Sequence, residues 1–434
     1  MKTFQHKIQK KIYLQTYGCQ MNIYDSEKII DILRPHGYSL TNNINEAQLI
    51  ILNTCHIREK ATEKIYSELG RLPKKVITIV AGCVAQAEGE EIIKRAPNVN
   101  IIVGSQSYHK LPLLLENLKR QHKWQIDLAF APEKKFDLLK TNRKIAYTSF
   151  LTIQEGCDKF CHFCCVPYTR GAEYSRKTSD ILQEAERQVK SGSKAIVLLG
   201  QNVSAWHNKI GLAQLLQQLL KISGLERLSY LTSHPRDMKD PMLFKIHAEQ
   251  KKILPYLHLP VQSGSDKILR NMNRKHTRKE YFDIIKNFQK ACSNMIFSSD
   301  FIVGYPGETE NDFRDTLDLV NRIPFSKCYS FKYSPRPGTP SSTLHNQIPE
   351  TIKNERLLRL QTLLREKQID FNKSCVGREL SVLFEKKGKF TGQIIGKTPY
   401  LQNVIVHAKE KNIGEIKNIK ITQGFFNHLE GYIK

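Results

Sequence analysis

From Lys11 to Leu118, and again from Tyr147 to Tyr333, short apolar β-prone runs alternate with amphipathic helical runs, and this alternation narrows the fold more than anything else in the chain. A strand followed by a helix, repeated, predicts a parallel sheet with helices packed on it. In the first stretch strands are expected at Ile12 to Tyr17, Leu49 to Leu52 and Val76 to Val80, with helices at Ser26 to Leu33, Glu59 to Leu69 and Glu88 to Arg95. A cysteine stands past each strand in a turn context: Cys19 after Gly18, Cys55 after Asn53 and Thr54, Cys83 after Gly82. Parallel strands end on one edge of a sheet, where ligands bind, so the three thiols are expected to converge. The alternative is three separate buried cysteines acting as small apolar residues.

The second stretch carries strand patterns at Tyr147 to Ile153, Ala195 to Leu199, Leu228 to Leu231, Tyr256 to Leu259, Met295 to Val303 and Lys327 to Tyr333. Helical patterns lie between them at Ser179 to Val189, Leu212 to Leu220, Arg278 to Cys292 and Thr309 to Arg322, the last opened by a capping box of Thr309 and Asp312. Six strand-helix units are too few to close an eight-fold barrel and fit an open, partial one. The lysine-rich stretch from Lys119 to Lys144, with Pro132, reads as a linker or irregular crossover. Helical residues Glu355 to Phe371 lead to short strands at Leu380 to Phe384, Gly388 to Gly396, Asn403 to Val406 and Ile416 to Ile421, closing near Tyr432. That texture predicts a small all-β barrel. The expected class is α/β, with an N-terminal parallel α/β domain at 1–125, a linker at 126–144, a partial (βα)6 barrel at 145–372 and a β-barrel at 373–434.

Cys157, Cys161 and Cys164 lie on the loop after the first barrel strand, where α/β barrels place their sites. Three thiolates can hold a 4Fe-4S cluster with one iron left open. They can also hold zinc, which asks for a fourth ligand; no further Cys-x-x-Cys pair follows, and His162, inside the run, would strain a tetrahedral wrap. Phe160 and Phe163 are expected to wall such a site from water. Cys165 is adjacent to Cys164 and reads as an apolar residue; Cys292, Cys328 and Cys375 read as core.

Lys and Arg number 67 against 42 Asp and Glu, a net +25, which favours polyanionic partners such as nucleic acid. From Val376 to Lys434 the count is 10 against 5, a net +5 on a small β-barrel, with Phe425 and Phe426 either stacking on bases or, more often for such residues, packed in the core. Ten irregularly spaced cysteines without a secretory signal do not form a disulfide framework. No run approaches the ~20 apolar residues of a membrane span, so a cytoplasmic protein with no membrane partner is expected.

The phrases Gln15-Thr-Tyr-Gly-Cys-Gln-Met-Asn22, Asn53-Thr-Cys-His-Ile-Arg-Glu-Lys-Ala61, Gly82-Cys-Val-Ala-Gln86, Cys164-Cys-Val-Pro-Tyr-Thr-Arg-Gly171 and Leu257-His-Leu-Pro-Val-Gln-Ser-Gly-Ser-Asp266, with the Cys-x3-Cys-x2-Cys spacing, resemble the radical S-adenosylmethionine methylthiotransferase family from about Lys11 to Ile433. Arg58, Glu59 and Lys60 are similar to the branch that makes 2-methylthio-N6-isopentenyladenosine beside the tRNA anticodon. The resemblance implies two 4Fe-4S clusters, one on Cys157, Cys161 and Cys164 that cleaves S-adenosylmethionine, and one on Cys19, Cys55 and Cys83 that holds the sulfur to be inserted. It also implies S-adenosylmethionine as methyl donor and radical source, a C-terminal RNA-binding TRAM barrel, a tRNA anticodon stem-loop as substrate, an electron donor and a sulfur source. His56 departs from the family's small polar residue, and Cys165 from an aliphatic one.

Gln201, Asn202, Gln262 and Ser263 follow strands directly and are expected to face the barrel mouth, where nucleoside and sulfonium would lie; Gly304, Gly307 and Glu308 end the fifth strand similarly. The competing reading is that all seven form and cap loops. Arg170 and Arg176 are expected to bind carboxylate or phosphate, or to form surface ion pairs. Two alternatives remain at this point: a methylthiotransferase acting on threonylcarbamoyl-adenosine or on a ribosomal-protein aspartate, and a non-enzymatic basic RNA-binding metalloprotein.

Overall fold

The computed structural model describes residues 10–56, 59–131, 135–136 and 146–434. Ile57, Arg58 and the side chains of Glu59, Lys60 and Ala61, on which the reading of the tRNA branch leaned, lie outside that set, as does most of the lysine-rich linker. Two compact units form. One comprises the described residues of Met1–Arg143 with Gln154–Asp158 and Cys165–Arg176; the other comprises Lys144–Ile153, Lys159–Cys164 and Lys177–Lys434.

The first unit is built on a sheet of β1 (Lys10–Thr16), β2 (Tyr38–Leu40), β3 (Leu49–Thr54), β4 (Ile77–Gly82), β5 (Ile101–Val103) and β6 (Gln125–Asp127), ordered β2-β1-β3-β4-β5-β6. Every pairing is parallel. All six residues of β3 are buried, as expected of a central strand covered by helices on both faces. Ile12, Ile51, Ile79 and Ile101 pack one face against the helices Gln20–Leu33 and Leu111–Gln121, while Ile50, Leu52, Val80 and Ile102 pack the other. β6 corrects the expected linker: the first unit's sheet runs past residue 125, and the helix before it reaches Gln121.

The second unit opens with β7 (Thr148–Thr152). A two-residue antiparallel pair, β8 (Gln154–Glu155) and β9 (Tyr174–Ser175), belongs to the first unit. The barrel strands continue with β10 (Ala195–Leu199), β11 (Arg227–Tyr230), β12 (Tyr256–His258), β13 (Ile296–Ser298), β14 (Asp300–Val303) and β15 (Tyr329–Lys332). The single strand expected over Met295 to Val303 is broken at Ser299. There β13 leaves its pairing with β12 and β14 begins its pairing with β15. Ser299 Oγ takes the N–H of Val261 and donates to Leu259 O (both 3.0 Å), so the hydroxyl fastens the chain where the ladder changes partner. The capping box of Thr309 and Asp312 forms as expected.

A 25-residue helix, Glu350–Ser374, leads to β16 (Glu379–Lys387), β17 (Gln393–Lys397), β18 (Asn403–His407), β19 (Ile416–Gly424) and β20 (His428–Ile433), which close a five-stranded barrel ordered β16-β17-β18-β20-β19. Cys375 is fully buried in its core, and Cys292 and Cys328 pack at the margin of the larger barrel's core. Phe425 and Phe426 are not core residues: Phe425 is 41 % exposed and stacks on His428, and Phe426 lies under the Arg365 guanidinium.

The small barrel is fastened to the large one by a buried arginine. Arg227, the first residue of β11, donates to Lys397 O (2.8 Å), Ser381 O (2.8 Å) and Ser381 Oγ (3.0 Å). Burial pulls its pKa down to about 10, with Glu385 opposing. Each buried carbonyl left without a donor costs about 1–3 kcal/mol. Arg227→Met is therefore expected to lower the urea midpoint followed by far-UV circular dichroism, and an unchanged midpoint would show that the contact does not fasten the barrels.

Candidate metal centre

The sheet order places a topological switch point between β1 and β3, because the chain moves outward to β2 from one side and to β4 from the other. Open α/β sheets bind ligands at the carboxyl edge there. Cys19 and Cys55 follow the two strands that flank this point, and Cys83 follows β4. Parallel register sets Thr54 opposite Gly82, so Cys55 and Cys83 leave adjacent strands at the same level. Tyr17 N–H donates to Asn53 O (2.8 Å), which brings the Cys19 loop alongside. The three strands thus end on one edge of the sheet, with Cys19, Cys55 and Cys83 each just past its strand.

Side-chain amides fasten these loops. Asn22 Nδ2 donates to Tyr17 O (2.9 Å) and Thr54 O (2.8 Å), tying the end of β1 to the end of β3. Asn53 Nδ2 donates to Asn22 O and Ser26 Oγ (both 2.8 Å), and Thr54 Oγ1 donates to Ala81 O (2.5 Å) while accepting from Val84 N–H (3.2 Å). Two glycines make the approach sterically feasible. A Cβ on Gly18 (φ +106°) would stand 2.3 Å from Cys55 Cβ and 2.8 Å from its sulfur, and one on Gly82 (φ +90°) would stand 2.5 Å from Thr54 O.

Cys19 caps the helix Gln20–Leu33 and Cys83 opens the helix Cys83–Glu88. Helix N-termini favour thiolate. At Cys19 burial outweighs this and pushes the thiol pKa up, with Arg170 opposing and Cys83 adding to the rise. Of the two readings for Arg170, the surface ion pair does not form: its side chain is 2 % exposed and pairs with the buried carboxylates of Asp25 and Glu155, and its Nε donates to Cys83 Sγ at 3.4 Å. Arg176 is also buried, stacked over Phe136.

In the radical-type run, Cys157 N–H donates to Gly171 O (3.2 Å) within the first unit. In the second unit Cys164 N–H closes a turn onto Cys161 O (2.9 Å). This turn is held by a segment far along the chain. Asn273 Nδ2 donates to Phe160 O (2.9 Å), His162 N–H donates to Met272 O (3.0 Å), and the His162 ring meets Asn271 O through Nδ1 (2.9 Å). His162 thus anchors the loop. Arg274 Nη1 donates to Cys161 Sγ (3.4 Å) and Nη2 to Pro260 O (2.5 Å). Phe163 packs with Ile268, Met272, Tyr305 and Tyr333, whereas Phe160 is 53 % exposed and does not wall the site as expected.

The mouth residues divide. Asn202 is buried and donates to Asp237 Oδ2 (2.7 Å), which pairs with Lys159 of the cysteine loop (2.8 Å), so this residue does reach the loop's surroundings. Gln201 is partly exposed. Gln262 holds φ +77° and is bridged to β14 through its backbone. Ser263 is fully buried, its hydroxyl serving Ser265 N–H (3.2 Å) and Thr316 (3.4 Å), so it builds the loop and does not face the mouth. Gly304 and Gly307 sit at positive φ, and Glu308 closes the loop on Gly304 N–H (2.7 Å) and Arg356 (2.8 Å), as the capping reading expected.

Sequence reasoning missed Arg274, His234 and His276. The two imidazole rings meet edge to face at 5.7 Å, and each leaves a buried Nε2 without a hydrogen-bond partner. Burial first, then Arg274, hold the His276 pKa down to about 4, and burial pushes that of His234 lower still. His234 lies just past β11, so the strand-end rule that found Asn202 would have found it. Arg274 lies 113 residues from Cys161 and carries no local signal.

Among the described residues no three His, Cys, Asp or Glu side chains close tightly enough to hold a single metal ion. Zinc asks for four ligands around one point, whereas a 4Fe-4S cluster takes three or four thiolates placed more widely; a guanidinium beside Cys83 is chemistry that suits either as a counter-charge to thiolate.

Residues 11–104 match the family described as "Uncharacterized protein family UPF0004", residues 151–320 the radical SAM superfamily and residues 373–434 the TRAM domain. The tRNA-2-methylthio-N(6)-dimethylallyladenosine synthase of Rickettsia conorii (strain ATCC VR-613 / Malish 7) is 55 % identical, over 98 % of this chain and 99 % of that protein. The chain belongs to that synthase family. The family's protein from Rickettsia bellii (strain OSU 85-389) is 54 % identical over the same shares. Among solved structures, the radical S-adenosylmethionine methyltransferase TsrM from Kitasatospora setae, with tryptophan substrate and SAM analog bound, superposes with a TM-score of 0.58 at 12 % identity, covering 86 % of this chain and 78 % of that one. The cobalamin-dependent radical enzyme OxsB gives 0.52 at 13 %, covering 82 % and 56 %. These two show the fold alone. The synthase family's radical SAM membership implies a 4Fe-4S cluster and S-adenosylmethionine.

Asn22→Ala removes the amide that ties β1 to β3 and leaves two carbonyls unpaired, at about 1–3 kcal/mol each. Amide exchange is expected to rise over Tyr17 to Met21 and Thr54 to His56 while β5 stays protected. Uniform exchange across the sheet would show that Asn22 does not tie these loops.

Proposed function

We propose that this chain methylthiolates C2 of N6-isopentenyladenosine next to the tRNA anticodon, using S-adenosylmethionine as methyl donor and as radical source. The observation that carries the reading is that Cys19, Cys55 and Cys83 each stand just past a strand at one edge of a single parallel sheet, in a chain with a second three-thiol run in a radical SAM domain. Binding RNA needs no such pair of thiol sets. An adenine C2–H is neither acidic enough for a side-chain base nor electrophilic enough for a thiol, so the reaction calls for a cofactor-borne radical.

In this reading Cys157, Cys161 and Cys164 hold the 4Fe-4S cluster that supplies the radical, and Cys19, Cys55 and Cys83 hold a second cluster that supplies the sulfur. Arg274 and the Asn271 to Asn273 carbonyl and amide groups keep the Cys161 loop in one conformation. Asn202 orients Asp237 and, through it, Lys159 near the same loop, while Gln201 and Gln262 line the approach. The TRAM barrel offers exposed Phe390, Phe425 and Tyr432 on a basic module for the tRNA backbone and bases. An electron donor, a sulfur source and a cytoplasmic setting complete the requirement. No helix among the described residues is long and apolar enough to cross a membrane.

Anaerobic iron and sulfide quantitation is expected to give about eight irons per chain, and about four in a Cys157, Cys161 and Cys164→Ala triple variant. The same preparation is expected to restore the methylthio group to tRNA from a strain lacking the modification, read by nucleoside mass spectrometry. Zinc in place of iron, or no methylthio product, would sink the reading. Gly18→Ala, which forces Cβ into Cys55, is expected to bring iron down to about four per chain with secondary structure unchanged; full iron loading would remove Cys55 from the ligand set.

A further inference from the structure

Arg170 stands in a buried four-charge arrangement that the cysteines alone do not require. Its Nη1 pairs with Asp25 Oδ2 (2.8 Å) and Glu155 Oε1 (2.7 Å), and its Nη2 donates to Asn22 Oδ1 (3.0 Å). Lys135 Nζ pairs with the same carboxylates, at 2.8 Å to Asp25 and 2.9 Å to Glu155. All four charged side chains are 2 % exposed or less. Two cations and two carboxylates balance, so Lys135 offsets carboxylate charge that would otherwise exceed that of Arg170. The guanidinium's Nε–H is aimed at Cys83 Sγ at 3.4 Å.

We propose that Arg170 is a positioning residue that sets the electron affinity of the cluster on Cys19, Cys55 and Cys83, through its hydrogen bond and charge at the Cys83 sulfur. The inference rests on the reading that those three thiols hold a cluster. A donor on a ligating sulfur draws electron density from the metal, and a cation in a low-dielectric setting favours the state with one more electron. Both effects raise the reduction potential. A carboxylate at the other end of the same guanidinium acts in the opposite sense. The arrangement therefore gives a signed prediction from two sides: loss of the cation lowers the potential, and loss of Asp25's charge raises it.

The experiment uses the full chain with Cys157, Cys161 and Cys164→Ala, so that one cluster remains, titrated reductively and followed by electron paramagnetic resonance. Arg170→Gln is expected to shift the midpoint to lower potential, Asp25→Asn to higher potential, and Arg170→Lys to leave it nearer the parent than Arg170→Gln does. Opposite shifts from two substitutions in one network are not produced by loosened packing. Should Arg170→Gln lose its iron while Arg170→Lys keeps it, with the Asp25→Asn shift upward, the charge is still what the site needs and the proposal stands. Equal potentials in all iron-loaded variants, shifts of the same sign from both sites, or iron loss in Arg170→Gln and Arg170→Lys alike would overturn it. Failure of the parent triple variant to bind iron at all would instead overturn the two-cluster reading.

Discussion

The parallel register of β1, β3 and β4 is the constraint on which the first unit's chemistry depends. Thr16 pairs with Asn53 and Thr54 with Gly82, so three chain reversals occur at one level and deliver their cysteines to one edge. A one-residue slip would turn buried Ile and Val side chains to the opposite face and carry each thiol out of line. Burial of β3 on both faces forbids that slip, so the same apolar packing that stabilises the sheet also positions the sulfurs. Asn22, Asn53 and Thr54 then satisfy the carbonyls and N–H groups that the reversals leave unpaired.

How much of this was legible in the sequence follows from how local each signal is. Cys19, Cys55 and Cys83 could be brought together on paper because strand-helix alternation and the shared carboxyl edge are consequences of short-range pattern. β2 and β5 were missed because three-residue strands are too short to show periodicity, and β6 because its Gln-Ile-Asp sequence carries little apolar signal. The break at Ser299 was hidden because the apolar run continues through it; the change of pairing partner is decided by tertiary contacts. For Arg170 the sequence leaves two readings open, a bound carboxylate or phosphate and a surface ion pair, because nothing local marks its partners. Its burial depends on Asp25, Glu155 and Lys135, which are distant in sequence or on other elements. Arg274 is the extreme case, meeting Cys161 only because the fold returns the chain to the loop.

Both thiol sets have a guanidinium donating to one sulfur, Arg170 to Cys83 and Arg274 to Cys161, each at 3.4 Å. Their surroundings differ. Arg170 shares two carboxylates with Lys135, whereas Arg274 lies near His234 and His276, whose low pKa values keep them neutral at pH 7. Planar, permanently charged guanidinium suits such positions because it keeps its proton when desolvated, where lysine would lose it more readily.

The attachment of the five-stranded barrel has a consequence for scale. Arg227 and Thr148 are the first residues of β11 and β7, and both bond to the small barrel, Thr148 through Glu385 (2.5 Å). The small barrel therefore sits at the amino ends of the large barrel's strands, while Asn202 and the cysteine turn lie at the carboxyl ends. Five-residue strands rise about 3.3 Å per residue, so these two rims are about 16 Å apart along the strands. A polynucleotide touching both would have to run down the flank of the barrel over that height. The two rims are thereby set like the jaws of a calliper, their separation fixed by strand length alone.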